Sequence, residues 1–298
     1  MTEPSGQKPE ARRSGFWFLS SVPWLQALPL ALVVAVFLVV PIATLAVVSV
    51  WDYTEYDLIP DFVLTNYADV FGSWVTYATY ASTLRFSALT WAVTLLVGFW
   101  IAYFLAFHVR SRTWQMVLFL VCTIPFWTSN IIRMISWIPF LGRNGILNTA
   151  LQALHLIKSP LEFLLFSDFA VILAYVHLYT LFMVVPIFNS MMRIDRRLIE
   201  AAIDAGAAGW QVVANVVIPL SKPGIAIGSI FVVTLVMGDF VTVRLMSGGQ
   251  SASVGLIIAN QMALLQYPAA AANAVILLVV VLIAVVAMMR VVDIRKEL

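Results

Sequence analysis

The chain has 298 residues, of which 62% are hydrophobic and only 11% are charged. Ordinary soluble domains carry about 25% charged residues. A soluble protein of this size could not hide so much apolar surface, so a water-soluble enzyme is excluded. The formal net charge of +2 provides no basic field for nucleic acid. The single cysteine, Cys122, excludes an intrachain disulfide and a zinc site built from the cysteines of this chain.

Six apolar runs are long enough for transmembrane helices, each of which needs about 20 residues to cross the hydrocarbon core. They are too long and too uniformly apolar for barrel strands, which alternate over about 10 residues. The sequence therefore predicts an all-α membrane protein with one six-helix domain over residues 24–291. The predicted spans are residues 24–50, 80–108, 114–137, 169–192, 224–246 and 269–291.

The basic residues predict the direction of the spans. Most of the 17 Lys and Arg residues lie in the terminal segments and in alternate loops, whereas the opposite loops carry only Arg143 and Lys158. Because short cytoplasmic loops are enriched in Lys and Arg, both termini are predicted to be cytoplasmic. Residues 1–23 and 292–298 would then be tails. The first span is too long for a signal-peptide core and is expected to remain as an anchor.

Motifs for covalent chemistry are absent from the sequence. No segment matches Gly-x-x-x-x-Gly-Lys-Ser/Thr, so any ATP is expected to bind another polypeptide. The three histidines fall on different segments and form no recognisable metal set, and no nucleophile–base pair is apparent. His177 lies within the fourth predicted span. It is either a functional intramembrane group or a neutral imidazole that is hydrogen-bonded inside the bundle.

The cytoplasmic connection over residues 193–223 has the pattern helix, break, helix. Asp195 can cap the first amphipathic helix, and Gly206 stands where a left-handed residue would end it. A second amphipathic stretch follows over residues 210–218. Such a hairpin either docks on a partner or lies on the lipid surface. Two residues are expected to interrupt the second helix: Pro219 and Pro223.

This connection resembles the EAA loop of permease subunits of ABC importers. The family pattern is Glu-Ala-Ala, three residues, Gly, nine residues, then Ile-x-Leu-Pro, and Val216 and Ile218 replace its Ile and Leu here. In that family the loop docks into a cleft of a cytoplasmic ATPase and transmits its closure. The resemblance implies ATPase-coupling roles for Glu200, Ala201, Ala202, Asp204, Gly206 and Pro219.

Other segments are similar to spermidine/putrescine-type permeases. They are Asn66-Tyr67, the Arg133-x-x-x-Trp137 and Gly142-x-x-Gly145-x-x-Asn148 stretch, and Gly238-Asp239-Phe240-Val241 with Ser247-Gly248-Gly249. The resemblance implies the type I ABC importer permease (MetI-like) fold and a non-catalytic, multi-pass subunit of a bacterial inner membrane. Polyamine is the expected substrate. Opines, aminophosphonates and amino-acid-like solutes remain alternatives.

An ion-coupled secondary transporter would more often show internal repeats and acidic residues at the membrane midplane, and neither is visible. The resemblance also implies partners. These are a second homologous permease subunit, two ATP-binding-cassette ATPase subunits that use ATP and Mg, a periplasmic substrate-binding protein and the lipid bilayer. No cofactor or metal is expected in this chain.

Four charged residues are placed inside the predicted spans, where each costs about 2.5–3.5 kcal/mol at the bilayer centre. Asp239 is expected to pair with one of Arg85, Arg133 and Arg244, either to fix helix packing or to form an outward gate or substrate contact. Aromatic and amide side chains nearby either serve the path or anchor and pack helices. The candidates for the substrate path are Asp239, Arg133, Trp127, Asn130, Tyr175 and Gln261.

Small residues predict close helix packing in the fifth span. Gly224 and Gly228 form a small-x-x-x-small pair, which lets the backbones of two helices approach.

Overall fold

The computed structural model describes residues 23–54 and 57–291, and most of these residues lie in helices. The predicted tails, residues 1–23 and 292–298, lie outside the described residues except for Pro23, where the first helix begins. Within the described part, five helical segments are long and apolar enough to cross a membrane, and a bent pair can provide a sixth. The predicted all-α membrane fold is confirmed, whereas the cytoplasmic side of the termini stays a prediction.

The described residues form helices of very different lengths and one two-stranded hairpin. The strands are β1 (Asp52–Tyr53) and β2 (Leu58–Ile59), which pair antiparallel. The helices are α1 (Pro23–Val34), α2 (Val40–Val48), α3 (Thr65–Gly72), α4 (Trp74–Tyr103), α5 (Arg112–Thr123), α6 (Asn130–Leu141), α7 (Ile146–Ala153), α8 (Asp168–Met191), α9 (Arg196–Asp204), α10 (Gly209–Val212), α11 (Ile218–Gly238), α12 (Val241–Met246), α13 (Val254–Ala263) and α14 (Tyr267–Val291).

Three spans form the core of the molecule: α4, α8 and α11, which pack against one another. Their contact buries Phe86, Tyr175 and Met183 almost completely. The first span, formed by α1 and α2 with a π-helical turn between them, packs on α14 and is otherwise unburied. The second span begins at Trp74, earlier than the predicted Tyr80, and ends as predicted at His108 after a second π-helical turn.

Glycines allow the core helices to approach closely. A Cβ at Gly224 of α11 would lie 2.4 Å from the carbonyl oxygen of Pro186 in α8, and one at Gly228 would lie 2.8 Å from Met183 Sδ. A Cβ at Gly98 of α4 would lie 2.9 Å from Met183 Cγ on the other side. The predicted packing role of the pair in the fifth span is therefore confirmed.

The third predicted span, residues 114–137, is not one helix. Helix α5 passes into a 3-10 turn (Ile124–Trp127), and the following helical segment leaves at an angle of 89°. Pro125 lacks an amide donor, and the side-chain hydroxyl of Thr128 donates to the carbonyl oxygen of Pro125 at 2.9 Å. The missing donor and this hydrogen bond end the helix locally, which a search for continuous apolar residues does not detect.

The beginning of the fifth span also differs from the prediction. The chain stays helical from Gly209 to Gly238, so Pro219 and Pro223 do not interrupt it. A π-helical turn (Val213–Val217) precedes Pro219, and the amide of Ile218 bonds to the carbonyl of Val213. This turn shifts the hydrogen-bond register just before the residue that has no amide donor, so the helix accommodates Pro219.

The end of the fifth span is the third difference. The helix was expected to reach Met246 but stops at Gly238, and α12 begins after an extended Asp239. The loop that follows α6 contains the short helix α7. Helix α14 confirms the sixth span.

Candidate coupling loop and intramembrane polar site

The connection between the fourth and fifth spans contains the amphipathic helix α9. The side chain of Asp195 accepts a hydrogen bond from the amide of Arg197 at 3.0 Å, which confirms the predicted cap. A carboxylate at this position also suits the positive end of the helix dipole. Arg196 donates to the carbonyl oxygen of Ala106 at 3.3 Å, which joins the start of α9 to the end of the second span.

Gly206 forms the left-handed turn that follows α9, as the sequence predicts. Its φ angle is +86°, and the amide of Ala207 bonds back to the carbonyl of Ala202 at 3.0 Å. A Cβ at Gly206 would meet no atom within 4 Å, so glycine is required by the backbone conformation and not by lack of space. The amide of Ala208 then bonds to Gln211 Oε1 at 2.7 Å and starts the next helix.

Most of the predicted coupling residues face outward from the chain. Apolar side chains stand beside them: Leu198 is 50% exposed, Ile203 56% and Trp210 71%. Exposed apolar side chains next to polar ones are typical of an interaction surface. Glu200, Ala201, Asp204 and Gly206 are exposed, Ala202 is half-buried, and Pro219 is half-buried at the start of α11.

A polar cluster lies at the other end of the same long helix, where α11 stops. Asp239 Oδ2 accepts hydrogen bonds from the Tyr179 hydroxyl at 2.7 Å and from the Thr242 hydroxyl at 2.9 Å. Asp239 Oδ1 accepts from the amide of Thr242 in the first turn of α12 at 2.9 Å. Tyr175 and Ser253 donate to the carbonyl oxygen of Asp239, each at 3.4 Å. Neutral donors therefore surround this carboxylate.

The expected pairing of Asp239 with an arginine is wrong. Arg85 pairs with Asp168 at the start of α8 instead, and Arg244 donates to Asn260 Oδ1 at 3.0 Å. Arg133 donates to Asn130 Oδ1 at 2.5 Å. The Tyr179 hydroxyl on α8 and the amide and hydroxyl of Thr242 at the start of α12 satisfy the Asp239 carboxylate without a cation.

Arg133 faces a cavity of about 410 Å³ between the broken third span and α8. Its Nε atom is buried and has no hydrogen-bond partner among the described residues. Trp137 and His177 line the same cavity, and Trp137 Nε1 donates to His177 Nδ1 at 3.0 Å. The hydrogen bond agrees with the second interpretation of His177, but its side chain is exposed in this chain and does not lie inside the bundle.

The six candidates for the substrate path do not form one group. Tyr175 lies with Asp239, and Asn130 lies with Arg133. Gln261 lies on α13 and accepts a hydrogen bond from Asn273 at 3.1 Å. Trp127 ends the 3-10 turn with 84% of its surface exposed.

Two partners of Asp239 were missed by the sequence reasoning. Tyr179 follows Tyr175 by one helical turn, so both rings project from the same face of α8. Thr242 follows Asp239 by three residues, which is the spacing of a side-chain cap at a helix start. Both signals are present in the sequence, but neither stands out from ordinary helix packing.

The motifs in the loops that are predicted to face outside have structural roles in the described residues. The side-chain amide of Asn66, which is buried, donates to the carbonyl oxygens of Ser49 at 3.2 Å and Trp51 at 2.8 Å. Buried Asn148 donates to the carbonyl of Gly142 at 3.1 Å and exchanges hydrogen bonds with the backbone of Leu161. These asparagines hold the loops to the ends of the first span and of α6.

Comparison with known proteins shows which class of protein this chain belongs to. Residues 95–297 match the family described as "Binding-protein-dependent transport system inner membrane component". The spermidine/putrescine transport system permease protein PotB of Haemophilus influenzae is 34% identical over 199 residues, covering 66% of this chain and 68% of that protein. PotB of Escherichia coli K12 is 32% identical over 215 residues, covering 72% and 77%.

The fold also matches a solved structure. In the crystal structure of a bacterial alginate ABC transporter bound to a periplasmic protein with an alginate pentasaccharide, one chain superposes with a TM-score of 0.73 at 18% identity. The match covers 92% of this chain and 93% of that chain. At this identity the likeness concerns the fold alone.

The fold and the loop define a membrane-embedded transport subunit. The chain belongs to the family of inner membrane components of binding-protein-dependent transport systems. It is a non-catalytic permease subunit of an ABC importer in an inner membrane, as the EAA-like loop indicates.

Proposed function

We propose that this permease carries a polyamine such as spermidine or putrescine, and that Asp239 receives one ammonium group of the substrate. Relatives at 32–34% identity are named as spermidine/putrescine permeases, which supports the substrate class. The observation that carries the site is a half-buried carboxylate directly after the end of a membrane span, whose partners among the described residues are all neutral.

An ammonium group suits this arrangement on chemical grounds. A polyamine supplies both the cation that Asp239 lacks and additional hydrogen-bond donors for its oxygens. The stacked rings of Tyr175 and Tyr179, with centroids 5.7 Å apart, lie beside the carboxylate and suit a cation. Arg133 near this site would repel a cation, so we propose that it lies on the path as a gate and not as a substrate contact.

We further propose that α9 and the Gly206 turn dock on an ATPase subunit. Two such subunits would bind ATP and Mg, a second permease chain would complete the path, and a periplasmic binding protein would deliver the substrate. The exposed Ile203 and Trp210 support a protein contact at this surface. Glu200, Ala201, Ala202, Asp204, Gly206 and Pro219 are the proposed coupling residues.

One continuous helix links the two proposed sites. It runs from Gly209 beside the docking surface to Gly238 beside Asp239, over 30 residues. At a rise of 1.5 Å per residue, this rod is about 45 Å long. Movement of the loop would therefore be carried directly to the carboxylate, because a packed helix moves as a unit.

Uptake of labelled spermidine and putrescine tests the proposal. A strain that lacks this chain is compared with the same strain complemented by wild type or by Asp239→Asn, with membrane levels verified. We expect wild type to restore uptake and Asp239→Asn to raise KM by tenfold or more, since the amide removes the negative charge. Unchanged uptake in a deletion strain without a redundant polyamine system would overturn the substrate assignment. An Asp239→Asn variant with wild-type KM would overturn the role of the carboxylate.

A further inference from the structure

A second cavity lies at the other membrane face, beneath the coupling helix. It encloses about 640 Å³ between the end of α8, the start of α9 and the start of α11, which is within the range of about 300–1,000 Å³ typical of ligand pockets. The side chains that line it deep in the membrane are apolar: Val185, Pro223 and Ile227. The polar lining side chains all lie near the loop, where they are mixed with apolar ones: Asn189, Ser190, Arg193 and Asp195. The cavity is therefore amphiphilic along the direction of the membrane normal.

The polar end of this cavity has an excess of positive charge. Arg193 lines it, and Arg197 and Lys222 are exposed on the adjoining turns of α9 and α11. Asp195 also lines the cavity, and its carboxylate keeps its negative charge while it caps α9, so the positive excess comes from Arg197 and Lys222 beside the lining. The salt bridges among the described residues are Arg85–Asp168 and Arg143–Glu162, so neither neutralises these cations.

We infer that this cavity binds an anionic phospholipid from the leaflet that faces the coupling loop. The phosphate would lie against Arg193, and an acyl chain would extend along Val185 and Ile227. Ile227 lies about two helical turns deeper in the membrane than Leu220 at the start of α11. A basic pocket between transmembrane helices at one membrane face is suited to an anionic headgroup. An apolar peptide segment would not use the charged end, and a free phosphate would not use the apolar end.

The position of this site gives the lipid a route to the transport cycle. Ile194 and Leu198 of the coupling segment form one wall, and Leu220 at the start of α11 forms the opposite wall. A bound lipid therefore lies between the proposed docking helix and the rod that leads to Asp239. The inference holds whichever solute the transporter carries, because lipid binding to the purified transporter is measured without any uptake.

The test uses the assembled transporter, purified and incubated with mixed phosphatidylglycerol and phosphatidylcholine, and analysed by native mass spectrometry. Wild type is expected to retain phosphatidylglycerol over phosphatidylcholine. Arg193→Gln is expected to lower that retention roughly fivefold, as the loss of one cation near a headgroup predicts. Arg112→Gln is the matched control, because Arg112 is exposed at the start of α5 and does not line the cavity.

A second variant tests the apolar end without changing charge. Ile227 is 42% exposed, so Ile227→Trp can fill the cavity without displacing the core, and it is expected to lower retention of bound lipid. A photo-crosslinking amino acid at position 220 then identifies the occupant in the membrane. A phospholipid adduct supports the inference. An adduct with the partner permease or the ATPase overturns it, as does equal phosphatidylglycerol retention by wild type, Arg193→Gln and Ile227→Trp.

Discussion

Tyr179 donates its phenolic hydrogen to the carboxylate of Asp239, and the two oxygens lie 2.7 Å apart. The bond joins the middle of α8 to the point where α11 ends, so it connects the fixed core to the helix that leads to the coupling loop. A hydrogen bond to an ionised carboxylate is stronger than one between neutral groups.

The first prediction concerns this bond. Tyr179→Phe leaves the ring in place but removes one donor, so we expect a loss of about 1.5–3 kcal/mol in stability, together with reduced uptake. Thermal unfolding of the purified protein in detergent and transport assays measure the two effects. Tyr175→Phe is the control, because the Tyr175 hydroxyl reaches only the backbone oxygen of Asp239 at 3.4 Å. Equal effects of the two variants would contradict the central role of the Tyr179 bond.

The second prediction concerns the turn after α9. Gly206→Ala places a side chain in a left-handed backbone at a cost of about 1–2 kcal/mol, so the turn is expected to change shape. The variant should insert normally but lose most uptake and most ATP hydrolysis stimulated by the binding protein. Gly209→Ala is the matched control, since Gly209 lies three residues further, has open space and shows no positive φ. A Gly206→Ala transporter as active as Gly209→Ala would refute the requirement for this turn.

The number and placement of the spans could be predicted because the bilayer demands long apolar helices whatever their tertiary contacts. The breaks within those spans could not. The bend after Trp127 and the end of α11 at Gly238 both occur inside runs that stay apolar on average, so the short polar stretches there do not divide the predicted spans. Each depends on a short side-chain contact, from Thr128 in one case and from Asp239 in the other.

Two expectations failed for related reasons. Pro219 was expected to break a helix, but the preceding π-helical turn shifts the hydrogen-bond register, so the helix continues without an amide donor at Pro219. Asp239 was expected to need an arginine, but hydroxyl donors from Tyr179 and Thr242 satisfy it first. Both expectations treated one residue by its average behaviour, whereas the outcome depended on neighbours that a linear pattern does not rank. The Asp195 cap and the Gly206 turn were predictable because all the atoms they use are local.

The third prediction concerns the contact of α8 with α11. Gly224→Ala would place a methyl carbon 2.4 Å from the carbonyl oxygen of Pro186, and a backbone oxygen cannot rotate away as a flexible side chain can. We expect the helices to separate and stability to fall by about 1–3 kcal/mol, as in other overpacked cores. Gly238→Ala on the same helix is the control, because a Cβ there meets nothing within 4 Å. The unfolding midpoints of the two variants in detergent provide the comparison, and similar midpoints would show that the close approach is not limiting.

The fourth prediction concerns the loop after the first span, which is predicted to face outside. Asn66→Ala leaves the carbonyl oxygens of Ser49 and Trp51 without their side-chain donor, and a buried polar group that loses its partner costs about 1–3 kcal/mol. The end of the first span should then loosen, which limited proteolysis of the outside loop in intact spheroplasts can detect as faster cleavage. Asp69→Ala on the exposed face of α3 is the control and should be cleaved at the wild-type rate.

Because Asn66 touches neither Asp239 nor the coupling loop in the described residues, its variant is expected to lower the amount of transporter while the KM of the remainder stays unchanged. A raised KM at normal abundance would instead assign Asn66 to the substrate path.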